Sequence, residues 1–135
     1  MENVPRVGVA AILRKNNKVL LASRLGNHGE GTWGFPGGKL EYRESIRDCV
    51  MREVFEETSL KVKNIKFGAL TNDIFESGKH FITIFMICDW KNGEPRIMES
   101  KKMGKWEWFD WGKMPKPLFL PIVNLLKQNY NPFKQ

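Results

Sequence analysis

Three glutamates near the middle of the chain have the residue type and spacing of a metal site. Glu53, Glu56 and Glu57 follow a glycine-rich turn at Gly37 and Gly38. At about 100° per residue they occupy roughly 100° of arc on a predicted helix. Like charges that close repel one another, so the arrangement destabilises the helix unless a cation lies among them. Hard carboxylate oxygens select Mg²⁺, with Mn²⁺ as the alternative. A cation held there would in turn bind the oxygens of a pyrophosphate.

The wider segment resembles the Nudix box, in which a glycine, a glutamate, an Arg-Glu pair and a Glu-Glu pair follow one another at fixed spacing. The resemblance departs from the pattern at Ser59, where the family usually has glycine. It implies hydrolysis of a diphosphate linkage. It also implies an α/β fold, the Nudix-type α/β/α sandwich with a central mixed sheet. The matching residues are Gly38, Glu44, Arg52, Glu53, Val54, Glu56, Glu57 and Leu60.

The same resemblance implies a role for each charged residue of the box. Glu53 and Glu57 are the expected core metal ligands and catalytic groups, and Glu56 completes the set. The choice of general base stays open, because coupled carboxylates share their titration. Arg52 is expected to orient the site through a salt bridge to a catalytic glutamate or to Glu44. Glu44 itself is expected to be structural, tying the loop to the helix.

Further metal ligands are implied on both sides of the helix. Gly37 and Gly38 allow the backbone to approach the metal, and the carbonyl of Gly38 or its neighbour is an expected ligand. A fourth acidic ligand from a later loop is also expected. Glu99 is the first candidate for it and Glu94 is the second.

Four residues outside the ligand set are candidates for substrate binding. Arg24, at the end of the second predicted strand, and Lys39, after the glycines, carry the charge to contact phosphates. Phe35 is a candidate for stacking on a base, and Asn72 for a hydrogen bond to a base edge. Aromatic residues in strands belong more often to a core than to a site. The other stacking candidates are Phe81, Phe85, Trp106 and Trp108.

Length and charge bound the class of protein. The 135 residues predict a single domain, 1–135, long enough for a sizeable core. The net charge of +7 is expected either to attract polyanionic substrates toward an acidic site or to form a solvated basic surface. The basic residues are scattered and lack zinc-finger, helix-turn-helix and RNP-type patterns. We therefore expect no sequence-specific binding of nucleic acid.

The same chain carries signals for its compartment. It has no apolar run long enough to span a membrane, and residues 1–5 lack the basic-then-apolar form of a signal peptide. Cys49 and Cys88 are too few for a disulfide framework and are predicted to be buried, reduced thiols. These features predict a cytoplasmic protein that does not bind membranes.

The order of predicted elements is compatible with the sandwich. Apolar runs at 7–13 and 19–22 flank Asn16 and Asn17 and predict a β-hairpin. A short strand at 33–35 precedes the glycine turn. The catalytic helix is predicted at about 45–58 with Ser45 near its N-cap, and its two apolar sides predict a helix sandwiched between layers. Further strands are predicted at 60–71, 80–89 and 105–109, with a C-terminal helix ending near Tyr130.

Features outside the box extend the resemblance over roughly Val7 to Phe133, notably 82–86, Trp106-Glu107-Trp108 and 114–119. They look like the Nudix subgroup of the mammalian thiopurine-nucleotide diphosphatase and the plant cytosolic Nudix hydrolases. Those enzymes act on nucleoside triphosphates, oxidised ones included, and some plant members act on isoprenyl diphosphates. The chain departs from the subgroup at Lys39, where histidine is usual. Relatives are commonly homodimers, so a homodimer is expected here.

The resemblance implies a Mg²⁺-dependent pyrophosphohydrolase of nucleoside di- or triphosphates that releases the monophosphate, and pyrophosphate from a triphosphate. Two alternatives stay open. One is hydrolysis of another X-linked diphosphate, such as ADP-ribose or an isoprenyl diphosphate, which a purely apolar pocket would favour. The other is a non-catalytic nucleotide sensor, which the loss of a box carboxylate would favour. None of these carboxylates is missing.

Overall fold

A computed structural model describes residues 3–134. Met1 and Glu2, the start of the N-terminal segment considered above, and Gln135 lie outside the described residues. Within 3–134, no helix combines the length and apolar character needed to cross a membrane. The helices are α1 (Ile46–Thr58) and α2 (Leu120–Leu126), with a 3-10 turn at Trp111–Lys113. The strands are β1 (Arg6–Lys15), β2 (Lys18–Ser23), β3 (Trp33–Gly34), β4 (Gly37–Lys39), β5 (Lys61–Ile74), β6 (His80–Asn92) and β7 (Glu107–Asp110).

These strands form one mixed sheet in the order β3-β2-β1-β6-β5, with β4 paired to β1 and β7 paired to β2. β1 and β6 run parallel, in register from Arg6↔Phe81 to Arg14↔Asp89. The other pairs are antiparallel. Parallel neighbours need a long crossover, and here it contains β2, β3, β4, α1 and β5. The pairing therefore brings segments that are distant in sequence to one end of the sheet.

Apolar side chains on the two faces of the sheet form two cores. Alternate residues of β1 point to opposite faces, so Val9, Ala11 and Leu13 meet α1 while Ile12 meets the α2 side. The expected α/β/α sandwich is confirmed. The first core also contains Cys49, Val50, Val54, Met86 and Trp106, and the second contains Val19, Leu21, Phe35, Phe85, Ile122 and Leu125.

Serine residues set both ends of α1. Ser45 is extended, and its hydroxyl accepts a hydrogen bond from the backbone N–H of Asp48 at 3.0 Å, which confirms the predicted N-cap. Ser59 adopts the left-handed conformation with φ 65°, and its N–H donates to the Phe55 carbonyl at 2.9 Å. That conformation costs a non-glycine residue about 1–2 kcal/mol. Ser59 therefore ends the helix where the Nudix pattern has glycine, but with more strain.

The expectation that α1 is sandwiched between two layers is wrong. Its inner side carries the buried Cys49, Val50 and Val54. Its outer side carries Met51 and Phe55, which are 38% and 50% exposed. Only one side of the helix therefore packs on the sheet, and the other apolar side faces solvent in this chain.

Exposed apolar side chains continue from α1 onto β5, which packs directly against it. Phe67, Leu70 and Ile74 are 61%, 48% and 67% exposed. Phe67 and Leu70 pair with Met86 and Ile84, which belong to the core on the α1 side, so these side chains share the face of the sheet on which α1 lies. We call the five exposed residues Met51, Phe55, Phe67, Leu70 and Ile74 the apolar face.

The backbone edge of β5 is partly covered, whereas its apolar side chains are exposed. β5 ends the strand order, so alternate carbonyls point away from β6. The side chain of Gln128 donates to the Leu70 carbonyl at 2.9 Å, and that of Asn124 donates to the Asn72 carbonyl at 3.4 Å. Polar side chains near the C-terminal end of the described chain therefore cover part of this edge.

The remaining boundaries lie within three residues of those predicted from the sequence except at two places. The β1–β2 hairpin is confirmed, with Asn16 and Asn17 at φ 51° and 63°, which asparagine tolerates better than most residues. Residues 37–39, expected as a turn, pair with β1 as β4. α2 ends at Leu126 rather than near Tyr130, because the chain turns after it and Asn129 lies at φ 56°.

Candidate active site

Two glycines let the carboxylate-bearing part of α1 lie against β4. A Cβ on Gly37 would overlap the backbone of Val9, and a Cβ on Gly38 would overlap the carboxylate of Glu53. The N–H of Gly37 donates to Glu57 Oε1 at 3.0 Å. Neither glycine has a positive φ, so the requirement is for space rather than for conformation. The groups that approach these glycines are the α1 carboxylates, and ligation by the Gly38 carbonyl stays a prediction.

Arg52 lies at the centre of an ion-pair network. Its Nε and Nη2 donate to the two oxygens of Glu44 at 2.7 and 3.0 Å, a bidentate geometry that favours the charged pair. These hydrogen bonds lower the pKa of Glu44 to about 2. Nη1 donates to Glu53 at 2.9 Å and to Glu56 at 3.1 Å, and Nη2 reaches the Lys39 carbonyl at 3.3 Å. Arg52 therefore joins the loop after β4 to the acidic side of α1.

Among the carboxylates on α1, Glu57 is buried and Glu53 is half-buried. Glu57 is only 7% exposed, and its burial raises the pKa to about 8, with the charges of Glu53 and Glu99 adding to the effect. Burial also raises the pKa of Glu53, although Arg52 opposes it. The ionised forms are therefore disfavoured by desolvation first and by mutual repulsion second.

This donor set fits a hard divalent cation. A bound cation would reverse both causes of the raised pKa values, because it favours ionised carboxylates next to it. In the part of the chain that the structure describes, no three acidic, histidine or cysteine side chains already form a complete ligand cluster. One oxygen each of Glu53 and Glu56 contacts Arg52 instead. The residues that would hold the ion are Glu53, Glu56 and Glu57, with Glu99 nearby.

The loop between β6 and β7 brings Glu99 toward this set. The N–H groups of Arg96 and Met98 donate to the carbonyls of Thr58 and Glu57 at 2.8 and 3.4 Å, so the loop docks on the C-terminal end of α1. The charge of Glu99 contributes to the raised pKa values of Glu53 and Glu57. Glu94, the second candidate, is exposed, and none of the described contacts places it at the carboxylates.

Sequence reasoning missed the role of Trp106 in holding this end of the helix. Its indole Nε1 donates to the Glu57 carbonyl at 3.1 Å, and the ring is 5% exposed. The sequence predicted only a strand residue that could stack on a base. Nothing in the local pattern shows that this indole satisfies one of the free carbonyls at the end of α1.

Of the predicted phosphate contacts, Arg24 lies closer to the carboxylates. The charge of Glu57 acts on its guanidinium, while Nε donates to the His28 carbonyl at 2.9 Å and the group lies 3.9 Å from the centre of the Phe119 ring. Lys39 is exposed at the end of β4. Its carbonyl contacts Arg52. The structure thus places the Arg24 guanidinium within reach of the charge of Glu57 and the Lys39 backbone beside Arg52, and contact of either cation with phosphate stays a prediction.

Phe35 and Asn72 are not brought to the carboxylates. Phe35 is 5% exposed and packs edge-on to Phe85 and parallel to Trp111, so its ring is part of the core on the α2 side. Asn72 is exposed on β5, and its side-chain oxygen contacts the His80 ring. Phe35 follows the end of β3, and its packing against the core rather than the carboxylates depends on long-range contacts that the local sequence does not show.

A cluster of four rings lies beside Arg24, and the sequence suggested only one of them. His28 packs against Phe75, Phe81 and Phe119 with ring centres 4.4, 5.5 and 5.3 Å away. Burial lowers the pKa of His28 to about 4, with the charges of Arg24, Lys79 and Lys39 adding to the effect. We call these four residues the aromatic cluster. They come from four separate segments, so no local motif could have revealed them.

Comparison with known proteins agrees with this geometry. The model of the NUDIX domain matches residues 3–128. The chain belongs to the NUDIX family. An ADP-ribose pyrophosphatase of Methanocaldococcus jannaschii is 36% identical over 117 residues, which cover 85% of this chain and 68% of that protein. An 8-oxo-dGTP diphosphatase of Proteus vulgaris is 32% identical over 87 residues, which cover 64% of this chain and 78% of that protein.

A solved structure supports the same assignment at the level of the Nudix fold. The MutT NUDIX hydrolase from Burkholderia pseudomallei superposes with a TM-score of 0.84 at 28% identity, covering 91% of this chain and 97% of that one. The expected family and fold are therefore confirmed, and the protein is a Nudix hydrolase that acts on phosphoric anhydrides.

Gly38→Ala should inactivate this Nudix hydrolase while leaving it folded. The added methyl would displace the Glu53 carboxylate, and a displacement of about 1 Å at a reacting group can lower the rate about 100-fold. The measurement is kcat/KM with Mg²⁺, together with the thermal midpoint. Gly26→Ala is the matched control, since a Cβ there meets nothing within 4 Å. Equal activity of the two variants would contradict the assignment.

The metal-free protein should lose stability as the pH rises from about 4.5 to about 8. Over that range the folded protein keeps a proton on Glu57 that the unfolded chain releases, so rising pH favours unfolding by at most about 1.4 kcal/mol per pH unit. Glu57→Gln should flatten the slope in urea unfolding with EDTA, whereas the exposed loop variant Glu76→Gln should not. A slope that Glu57→Gln leaves unchanged would refute the buried-carboxyl interpretation.

Proposed function

We propose that this Nudix hydrolase cleaves nucleoside diphosphate derivatives, with nucleoside triphosphates, oxidised ones included, as the preferred class. The products would be the nucleoside monophosphate and pyrophosphate. The observation that carries the proposal is the packing of the buried Glu57 and the half-buried Glu53 against Gly37 and Gly38. Carboxylates whose pKa is raised by burial, next to glycines that leave the backbone accessible, are suited to binding a cation and a polyanionic substrate.

The proposed cofactor is Mg²⁺, with Mn²⁺ as the alternative. Glu53, Glu56 and Glu57 would hold it, with Glu99 and the Gly38 carbonyl as further ligands. When bound, the cation neutralises phosphate charge and makes the phosphorus a better target for water. Support comes from the carboxyl-only donor set and from its unfavourable charge without a cation.

The chain's own groups would position and deprotonate the attacking water. Arg52 orients Glu53 and Glu56 through the ion pairs described above. Glu53 and Glu57 interact through their charges, so they titrate as a pair, and we propose that the general base is one of the two. Arg24 would contact phosphate oxygens, since its charge interacts with that of Glu57, and Lys39 would do so from the end of β4, where its carbonyl contacts Arg52.

The aromatic cluster supports a substrate that carries a base. Arg24 packs on Phe119 and also interacts with Glu57, so the rings lie next to the proposed phosphate site. Base–aromatic stacking contributes roughly 1–3 kcal/mol per base. The ADP-ribose and 8-oxo-dGTP of the two relatives named above each join a purine to a diphosphate or longer chain. A base on the cluster would leave its phosphates near Arg24 and Glu57.

A second candidate substrate is an isoprenyl diphosphate, and the apolar character of Phe75, Phe81 and Phe119 favours it. ADP-ribose is the other alternative, in line with the archaeal relative. A non-catalytic sensor is the third, and the complete set of box carboxylates speaks against it.

We propose that the protein is a homodimer joined through the apolar face. Its five side chains expose on the order of 400 Å² at 38–67% exposure. A stable interface needs about 800 Å² per partner, so this patch could supply about half of one, including its centre. Sedimentation of the wild type should give a dimer, and Phe67→Glu should give a monomer. A monomeric wild type would rule the dimer out, and Ile97→Glu, outside the face, is the control.

The proposed setting is the cytoplasm, and the proposed unit is one Nudix domain over 1–135 without sequence-specific nucleic-acid binding. Cys49 and Cys88 are buried free thiols, which fits a reducing compartment. Cell fractionation would test the setting, since recovery from an oxidising compartment would contradict it.

The test is Mg²⁺-dependent hydrolysis across a panel of normal and oxidised dNTPs, ADP-ribose, dinucleoside polyphosphates and geranyl diphosphate, with products resolved by ion exchange. We expect selective turnover of one nucleoside triphosphate, which EDTA abolishes. Glu57→Gln should reduce it by roughly 100- to 10,000-fold, and Glu76→Gln should not. Turnover of only ADP-ribose or geranyl diphosphate would select an alternative, and binding without turnover would favour the sensor.

A further inference from the structure

A fully buried carboxylate lies behind the aromatic cluster. Asp73 on β5 is 0% exposed, and its Oδ2 accepts hydrogen bonds from the hydroxyls of Thr71 at 3.0 Å and Thr83 at 2.5 Å. Its Oδ1 accepts from the side chain of Asn124 on α2 at 2.8 Å. One carboxylate thus joins β5, β6 and α2, using uncharged donors from three elements.

Each of these elements carries a ring of the aromatic cluster a short distance along the chain. Asp73 is the register partner of Phe81, and Thr71 is the partner of Thr83 on the same two strands. Phe75 follows Asp73 by two residues and so leaves the strand on the same face. Phe119 is the N-cap residue of α2 and comes five residues before Asn124. The spacing of the three phenylalanines therefore depends on the elements that Asp73 joins.

Packing alone does not require a carboxylate at this position. Burying one carries a desolvation cost before its hydrogen bonds form, and an apolar pair with the same shape would join strand and helix without that cost. The hydrogen bonds add a defined geometry, because each of them fixes the distance and angle between two elements. Loss of one donor would let the elements shift without unfolding them.

We propose that Asp73 is a positioning residue for substrate binding, which holds Phe75, Phe81 and Phe119 around the His28 ring, so that the cluster presents a fixed aromatic surface to a base. The inference rests on the proposed function, since it takes the aromatic cluster as the site of the base. Asp73 acts through its neighbours and does not touch the substrate. Its loss should therefore weaken recognition of the base and leave recognition of phosphate unchanged.

The experiment measures binding, by calorimetry with Mg²⁺, of dGMP and of inorganic pyrophosphate to the full chain. Asp73→Asn keeps the shape but replaces one acceptor with a donor, and Thr83→Val removes one donor. Thr83→Ser restores the hydroxyl. Leu13→Ala is the matched control for lost stability, because Leu13 is 0% exposed at the other end of β1 and lies outside this network.

We expect Asp73→Asn and Thr83→Val to weaken dGMP binding roughly tenfold, with pyrophosphate binding within about twofold of the wild type. Thr83→Ser should recover most of the dGMP affinity, and Leu13→Ala should leave both affinities near those of the wild type. The proposal is wrong if dGMP affinity in the network variants matches that of Leu13→Ala, if both ligands weaken equally, or if the wild type binds no dGMP. Failure of the proposed function would appear separately, in the turnover panel with the wild type.

Discussion

Attraction between one guanidinium and several carboxylates is the interaction on which the site depends. Arg52 contacts Glu44, Glu53 and Glu56 within 3.1 Å, and without it these three acidic side chains, the first from the turn before α1 and the others from α1, would repel one another. The neighbouring Glu57 instead relies on the Gly37 N–H. Arg52 therefore pairs with some of the carboxylates, whereas Glu57 is buried with little compensation for its negative charge. A cation beside Glu57 would supply that compensation.

The parallel pairing of β1 with β6 brings other parts of the chain to the end of the sheet that carries this ion-pair network. It places β4 and its glycines on one edge of β1 and the β6 start, with Phe81, beside the other. The crossover between those strands contains α1, so the carboxylates and the aromatic cluster belong to one end of the sheet. In the proposed function the diphosphate would bind at the carboxylates and the base at the aromatic cluster, and the topology brings these two groups together.

The sequence predicted the residues whose positions depend on local spacing. It missed the residues that come together only through the topology of the fold. The positions of Glu53, Glu57 and Arg52 follow from helical periodicity and the family pattern, and the N-cap at Ser45 follows from residue type. Phe35 was misplaced because an exposed aromatic and a core aromatic look alike in a short strand. His28, Phe75 and Phe119 were missed because they meet only through long-range packing. The exposed side of α1 was missed because periodicity shows which residues are apolar, not whether a second layer covers them.

The edge of β5 has a consequence for how copies of this protein meet. An open strand edge offers backbone groups to any other strand and allows growth without limit, as in fibrils. Here Gln128 and Asn124 already bond to two of the outward carbonyls. These hydrogen bonds disfavour backbone pairing between the β5 strands of two copies. The neighbouring exposed side chains of the apolar face remain available for contact. Side-chain contacts of that kind saturate when two molecules cover each other, so assembly through this region would be self-limiting.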